Sequence, residues 1–482
     1  MNYGMIIKRL GTALLIEAAC LAAPLLISLS FGENLLPFSV PIAAAAILGL
    51  VMQAVKPASP DIYIREGFAI VALCWIVFSL VGAMPYVLSR AIPDPIDAFF
   101  EAVSGFTTTG ATVVADVEAL PKGVLLWRSL TNWLGGMGVL VLMLAILPSV
   151  KGSALFILRA EAPGPSPDKF VPKIGKTAKI LYLMYVLMTL LQVILLLLGG
   201  MPLFDCVVHS LSTAGTGGFS SRNASVGAYG SLYAEIVIAV FMFLFGVNFT
   251  LYYMSFKGGI KKALRDEELR FYALITLVAI ALISIDTYGK GYHTFWEALR
   301  HSSFQVSSVI TTTGFSTQDF GNWPLFSQTV LLLLMFIGAM AGSTGGGLKC
   351  VRALILLKAI KREVKKSIHP KAASVIAING KRAEESSVYG ILVYLAIYLA
   401  LIILGTLLVS INGKDFLTTS TSVISCINNV GPGLGAAGPA GNYAGFSGLS
   451  KMVLSMLMLT GRLEIFPLLM LFTPGFWRKN NI

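Results

Sequence analysis

The sequence predicts an all-α membrane protein: an N-terminal two-helix hairpin followed by four parallel helix–pore-helix–helix repeats around one central pore. Three observations predict it. Charged residues are too few to coat a water-soluble surface, the basic residues gather in a few clusters between apolar blocks, and a Gly/Thr-rich stretch recurs four times.

Hydrophobic residues make up 56% of the 482 residues and charged residues only 12%, with a mean hydropathy of +0.79. A soluble domain carries about a quarter charged residues, so most of this surface faces lipid. Runs such as Leu181 to Leu198 and Val388 to Val409 are long enough to cross a hydrocarbon core of roughly 30 Å as helices. The chain's net charge is +12, and basic residues fall in clusters between apolar blocks: Lys8 and Arg9; Lys173, Lys176 and Lys179; Lys257, Lys261, Lys262 and Arg265; Lys358 to Lys371; and Arg478 with Lys479. This is the positive-inside pattern, which places both termini and the long connections in the cytoplasm. Base-reading motifs are absent, so the charge does not point to nucleic acid. Five scattered cysteines show neither metal-ligand spacing nor a disulfide framework.

The hairpin comes first. Lys8 and Arg9 ahead of an apolar run have the form of a signal peptide, but a second apolar stretch, Phe38 to Val55, follows a short turn. A retained hairpin over residues 1–60 is therefore expected. The repeats then occupy 61–170, 171–265, 266–375 and 376–482. Each reads as an apolar helix, a short semi-polar segment, a Gly/Thr/Ser-rich stretch and a second apolar helix. Because every linker is basic, each repeat goes out and returns, and the repeats are parallel. Segments such as Ile96 to Phe106 and Thr294 to Ile310 are too short and polar to span, and are expected to be re-entrant half-helices. Non-helical backbone at that depth needs a water-filled cavity or surrounding protein. Four such loops can meet on one axis.

The loops carry the chemistry. Their central residues are Thr108, Thr109 and Gly110; Thr216, Gly217 and Gly218; Thr312, Thr313 and Gly314; and Asn429, Val430 and Gly431. A dehydrating cation needs oxygens in place of its water, and glycine lets backbone carbonyls turn inward to supply them. The half-helices would aim their partially negative C-terminal ends at the same point. One such stretch alone reads as ordinary helix-packing glycine. Four in register, each after a half-helix, favour a cation filter.

These residues resemble the Trk/Ktr/HKT superfamily of potassium transporters, and the extra hairpin makes the chain similar to its TrkH-type membrane subunits. The four filters, the Gly342-Ser343-Thr344-Gly345-Gly346-Gly347 stretch and Gly461-Arg462-Leu463-Glu464 carry the resemblance together. It implies potassium as the transported ion, with sodium or rubidium passing less well, and a homodimer with one pore per subunit. It also implies a cytosolic TrkA-type nucleotide-binding regulatory ring and residence in a bacterial inner membrane. Glycine in all four filters is the family's potassium-preferring arrangement; the second copy departs from the Thr-rich ones in detail.

A gate is expected below the third filter. The helix that begins near Phe326 and reaches about Lys366 is interrupted by Gly338 and by Gly342, Ser343, Thr344, Gly345, Gly346 and Gly347. Such a run cannot hold a helix at membrane depth, so an irregular loop is expected. The competing reading is a simple kink or close-packing site. Arg462 is expected near the middle of a last apolar helix, Leu449 to Phe472. A charge there must face water or a partner, either Glu464 or loop carbonyls in a structural role, or the pore as a barrier to cations. The resemblance implies a gating role for both the loop and Arg462.

Other patterns lead elsewhere. Gly433 to Gly438 matches G-x-G-x-x-G but follows a half-helix and precedes Pro439, which argues against a dinucleotide site. Gly342 to Lys349 approximates a P-loop with the lysine one place late. His209, His293, His301 and His369 share no ligand spacing, and His209 and His301 read as satisfied polar residues. Asp94, Asp97, Asp116 and Glu118 read as caps and solvated charges. Lys358 to Lys371 suits contact with anionic lipid headgroups or docking of a regulatory ring. No acid/base or metal constellation suggests an enzyme. An alternating-access secondary transporter coupled to protons or sodium is the alternative, although such transporters commonly use inverted repeats.

Overall fold

The computed structural model describes residues 1–57, 59, 63–146, 174–370 and 375–477. The basic residues Lys173, Lys371, Arg478 and Lys479 lie outside the described residues. Among those described, six helices are long and apolar enough to cross a membrane: Tyr3–Ser30, Leu36–Gln53, Arg65–Leu88, Lys179–Leu198, Glu267–Thr287 and Glu385–Ser410. The chain is a multi-pass, mostly helical membrane protein.

The first two helices, α1 (Tyr3–Ser30) and α2 (Leu36–Gln53), form the expected hairpin. They approach closely at Gly11 and Gly49, where a Cβ on either glycine would press on the other's carbonyl at 2.8 and 2.9 Å. The hairpin turn is tied to the rest of the chain by Glu33. Its carboxylate accepts the backbone N–H groups of Lys122 and Gly123 at 2.6 and 3.0 Å. It thereby caps the helix Lys122–Ile146, whose first amides have no partner of their own.

The four helices that lead into the glycine-rich stretches are short: Pro95–Phe106, Leu203–Gly215, Phe295–Ile310 and Phe416–Asn428, of 12, 13, 16 and 13 residues. At a rise of about 1.5 Å per residue none reaches across a core of about 30 Å. Three begin with a side-chain cap. Asp94 accepts from Ile96, Thr294 from Glu297 and Asp415 from Thr418. Asp94 is thus the cap expected of it, whereas Asp97 pairs with Lys451 at 2.6 Å.

Three longer helical paths are broken. Leu232–Phe245 and Phe249–Ala263 meet at 89°, a break that hydropathy did not announce. Leu325–Ile337 and Cys350–Ile368 are separated by residues 338–349, wider than the expected interruption. Gly448–Arg462 ends at Arg462, and a short helix, Phe466–Leu471, follows. Arg462 is therefore at a helix end, not the middle of one. Glu464 and Ile465 have φ of 54° and 70°, and a Cβ on Gly461 would collide with the Ile427 carbonyl, so a straight helix cannot continue there.

Candidate ion-conducting site

The helices Pro95–Phe106, Leu203–Gly215, Phe295–Ile310 and Phe416–Asn428 end in the same way. Thr108, Thr216, Thr312 and Asn429 adopt left-handed backbone, with φ of 56°, 54°, 57° and 56°. The next amide turns back to a carbonyl five residues earlier: Thr109 to Ser104 at 2.8 Å, Gly217 to Ser212 at 2.9 Å, Thr313 to Ser308 at 2.8 Å and Val430 to Ser425 at 3.0 Å. This is the Schellman cap, in which glycine usually takes the left-handed place. A threonine there costs about 1–2 kcal/mol; asparagine tolerates it better. The hydroxyls of Thr108 and Thr312 accept hydrogen bonds that glycine could not, from Arg462 and from the Gly346 amide.

Two residues on, Gly110, Gly218, Gly314 and Gly431 are left-handed again, with φ of 78°, 70°, 83° and 97°. Their surroundings form a closed cycle. A Cβ on Gly110 would strike the Gly217 carbonyl, one on Gly218 the Thr313 carbonyl, and one on Gly314 the Val430 carbonyl. One on Gly431 would meet the Thr109 carbonyl at 2.5 Å. The first loop touches the second, the second the third, the third the fourth, and the fourth the first. Four carbonyl oxygens and four glycines thus share one ring. Asn429 reinforces the last junction by donating to the Thr109 hydroxyl at 3.0 Å and the Met458 carbonyl at 2.9 Å. A cavity of about 180 Å³ rests against this ring, with all four glycines, Arg128 and Arg222 in its wall.

The break at 338–349 packs under the third and fourth loops. The Gly346 amide donates to the Thr312 hydroxyl at 2.7 Å, and a Cβ on Gly346 would collide with the Asn428 carbonyl. The loop also fits the break at 246–248. Met340 donates to the Gly246 carbonyl and Phe249 to the Gly342 carbonyl, both at 3.1 Å. Irregular backbone from two breaks is satisfied mutually, as lipid could not satisfy it. Glu268 secures both ends of the loop by accepting from Ala341 at 2.7 Å and Val351 at 3.1 Å.

Arg462 joins the pieces. Its guanidinium donates to the Thr344 carbonyl at 2.9 Å, the Thr108 hydroxyl at 3.1 Å, and the carbonyls of Gly135 and Gly136 at 2.5 and 2.9 Å. Of the partners expected, the loop carbonyl is present. Glu464 instead binds Arg352 at 2.5 Å.

The profile of a family described as TrkH, cation transport protein, matches residues 39–479. The chain belongs to the TrkH family. Its sequence is 40% identical to the Trk system potassium uptake protein TrkH of Salmonella typhimurium over 422 residues, 86% of each chain. It is 36% identical to the protein of that name from Halomonas elongata, over 99% of this chain and all of the relative. The crystal structure of the potassium transporter TrkH from Vibrio parahaemolyticus superposes with a TM-score of 0.89 at 34% identity, covering 99% of this chain and 100% of that one.

In this TrkH-family chain eight of the twelve loop residues singled out from sequence form the ring, the other four (Thr108, Thr216, Thr312 and Asn429) are the left-handed corners that lead into it, and Gly342 to Gly347 lie in the break beside it. His209 and His301 are held by protein partners, as expected. The His209 ring contacts the Asp205 carbonyl at 2.9 Å and the Ser220 hydroxyl at 3.0 Å; His301 contacts Thr317 at 3.2 Å. Sequence reasoning missed Gly135 and Gly136, Glu268, and the break at Gly246-Val247-Asn248. The break had one local signal. The Asn248 side chain caps the following helix by accepting from Thr250 at 2.8 Å.

Proposed function

We propose that this protein admits potassium across the bacterial cytoplasmic membrane through a single gated pore. In this reading the four loops are the selectivity filter. The carbonyls of Thr109, Gly217, Thr313 and Val430 belong to the cage that replaces the ion's water. The four helix–half-helix–helix units over 61–170, 171–265, 266–375 and 376–482 are parallel repeats about that axis, behind the hairpin of 1–60. Both termini face the cytoplasm, for which the basic linkers are the support.

The observation that carries the reading is the closure of the glycine ring, since four loops that touch cyclically leave one shared path. The four short helices also end at that ring, so the negative ends of their dipoles favour a cation there. The relatives' names, potassium uptake proteins, point to the same cargo.

Below the filter, residues 342–347 and Arg462 act as the gate. The loop fills space beneath the third and fourth filters, and the fixed charge of Arg462 opposes a cation leaving the ring. Opening requires the loop to move and the Arg462–Thr344 contact to part. A homodimer with a pore per subunit, and a cytosolic TrkA-type nucleotide-binding ring acting on the basic segment Lys358 to Lys371, complete the proposal. Recording from purified protein in planar bilayers tests it. Unitary potassium currents far above carrier turnover are expected; slow saturating flux with stoichiometric proton or sodium movement would establish an alternating-access carrier instead.

A further inference from the structure

Nine residues before the glycines of the ring stand Glu101, His209, Gln305 and Ser422. The position lies in each short helix, behind its own loop, and in the first copy it carries a charge. Glu101 is fully buried and Arg128, its ion-pair partner at 2.8 Å, is 2% exposed. The carboxylate also accepts the Thr112 hydroxyl and the Val113 amide, both at 2.9 Å, so it holds the strand that follows Gly110. Arg128 reaches the second loop, donating to the Ser220 carbonyl at 3.4 Å and lying over the Phe219 ring at 4.1 Å. One ion pair therefore spans the junction between the first two loops.

Its setting is unusual for a cation path. Among the residues lining the cavity on the ring, the two charged ones are both arginines, Arg128 and Arg222. Arg222 is 41% exposed and paired with Glu118 and Asp205, each at 3.5 Å, where solvent and salt screen it. Arg128 is screened by little except Glu101. We propose that Glu101 and Arg128 are positioning residues for potassium entry: the pair braces the first two loops, and its charge balance sets how readily a cation occupies the cavity above the ring. The proposal rests on the ring being the ion path.

The test is potassium influx into liposomes holding the full chain, measured as rate against potassium concentration. Ionic strength is varied with an impermeant organic salt from ~0.01 M to ~1 M, over which the screening length falls from about 30 to about 3 Å. Glu101→Gln keeps the side chain's shape and leaves Arg128 unpaired. Its half-saturating potassium concentration rises about two- to tenfold at low ionic strength and falls back only in part as salt is added, because a charge 2% exposed is weakly screened. Arg128→Gln moves it the opposite way. The double variant, with no unpaired charge, restores both the value and its salt insensitivity. Single variants that lower only the maximal rate, or shift half-saturation in the same direction, overturn the proposal. If Glu101→Gln does not fold, Arg128→Gln and the double variant still decide it. Gly110→Ser in the otherwise unmodified chain separates the two readings. An unchanged potassium-to-sodium ratio there removes the ring as the ion path, whereas a changed ratio with unmoved half-saturation in the charge variants removes only the brace.

Discussion

The Arg462 guanidinium donates to the Thr108 hydroxyl at 3.1 Å, so the last residue of one broken helix touches the left-handed corner from which the first glycine loop springs. The same guanidinium holds the Thr344 carbonyl of the 338–349 break. The first glycine loop and the 338–349 break are therefore joined through one side chain, and a change in either alters the contacts of the other.

Removing that side chain releases the loop. Arg462→Ala forfeits four charge-assisted contacts, each worth about 1.5–3 kcal/mol, and deletes a positive charge beneath the ring. Basal potassium flux into proteoliposomes without a regulatory partner is expected to rise by about tenfold or more. Deleting residues 342–347 should act in the same direction. A fall or no change in either variant would remove the gate assignment.

Glycine at the ring is required by space as well as by backbone angle. In Gly314→Ser the new Cβ runs into the Val430 carbonyl, and the φ of 83° disfavours any side chain. The carbonyl must turn or retreat, and the proposed filter would lose its match to a dehydrated potassium ion. Reversal potentials under opposed potassium and sodium gradients should show weakened discrimination. A permeability ratio equal to that of the unmodified protein would refute the filter assignment for this loop.

The four left-handed corners divide by what their side chains do. Among the described residues the Thr216 hydroxyl bonds the neighbouring Gly215 carbonyl at 2.6 Å, whereas Thr312 receives the Gly346 amide at 2.7 Å. Thr216→Gly should relieve backbone strain and change stability by up to about 1 kcal/mol in the favourable direction. Thr312→Gly relieves the same strain but orphans a buried amide, so it should lower the thermal midpoint in detergent and raise basal flux. Equal midpoints for the two variants would refute the division.

Glu268 holds the break at both ends, so Glu268→Ala frees two amides, of Ala341 and Val351. Hydrogen exchange across 338–351 should accelerate by about tenfold or more, corresponding to loss of charge-assisted bonds of about 1.5–3 kcal/mol each. Exchange at the Glu33-capped start of the helix Lys122–Ile146 provides the internal control and should stay constant.

Features encoded by neighbouring residues are legible from the amino-acid order. The hairpin, the short semi-polar helices and the Gly-rich interruption after Leu325–Ile337 follow from hydropathy and from glycine's inability to sustain a helix in lipid. The register of the four loops is readable because glycine recurs where the backbone must be left-handed. The uniform serines at 104, 212, 308 and 425 are equally plain in the sequence. Their meaning appears only once the 6→1 cap is seen, since the bond uses their carbonyls, which every residue has.

The position of Arg462 is not legible in this way. Leu449 to Phe472 reads as one apolar helix, whereas the backbone turns left-handed at Glu464 and Ile465, where Glu464 pairs with Arg352, 112 residues away. The break at 246–248 likewise depends on carbonyl and amide partners supplied by Met340 and Gly342.

The sequence by itself determined that this chain enters a membrane, that it carries four glycine loops after four helices too short to span, and that a fifth glycine-rich segment breaks a helix. These are properties of local hydropathy and backbone freedom. Only the tertiary structure decided which loop touches which, that the cycle closes from Gly431 to Thr109, and that Arg462 stands between the first glycine loop and the 338–349 break. Such pairings join residues as far as 354 positions apart, and no local pattern of polarity encodes the partner a buried donor will find.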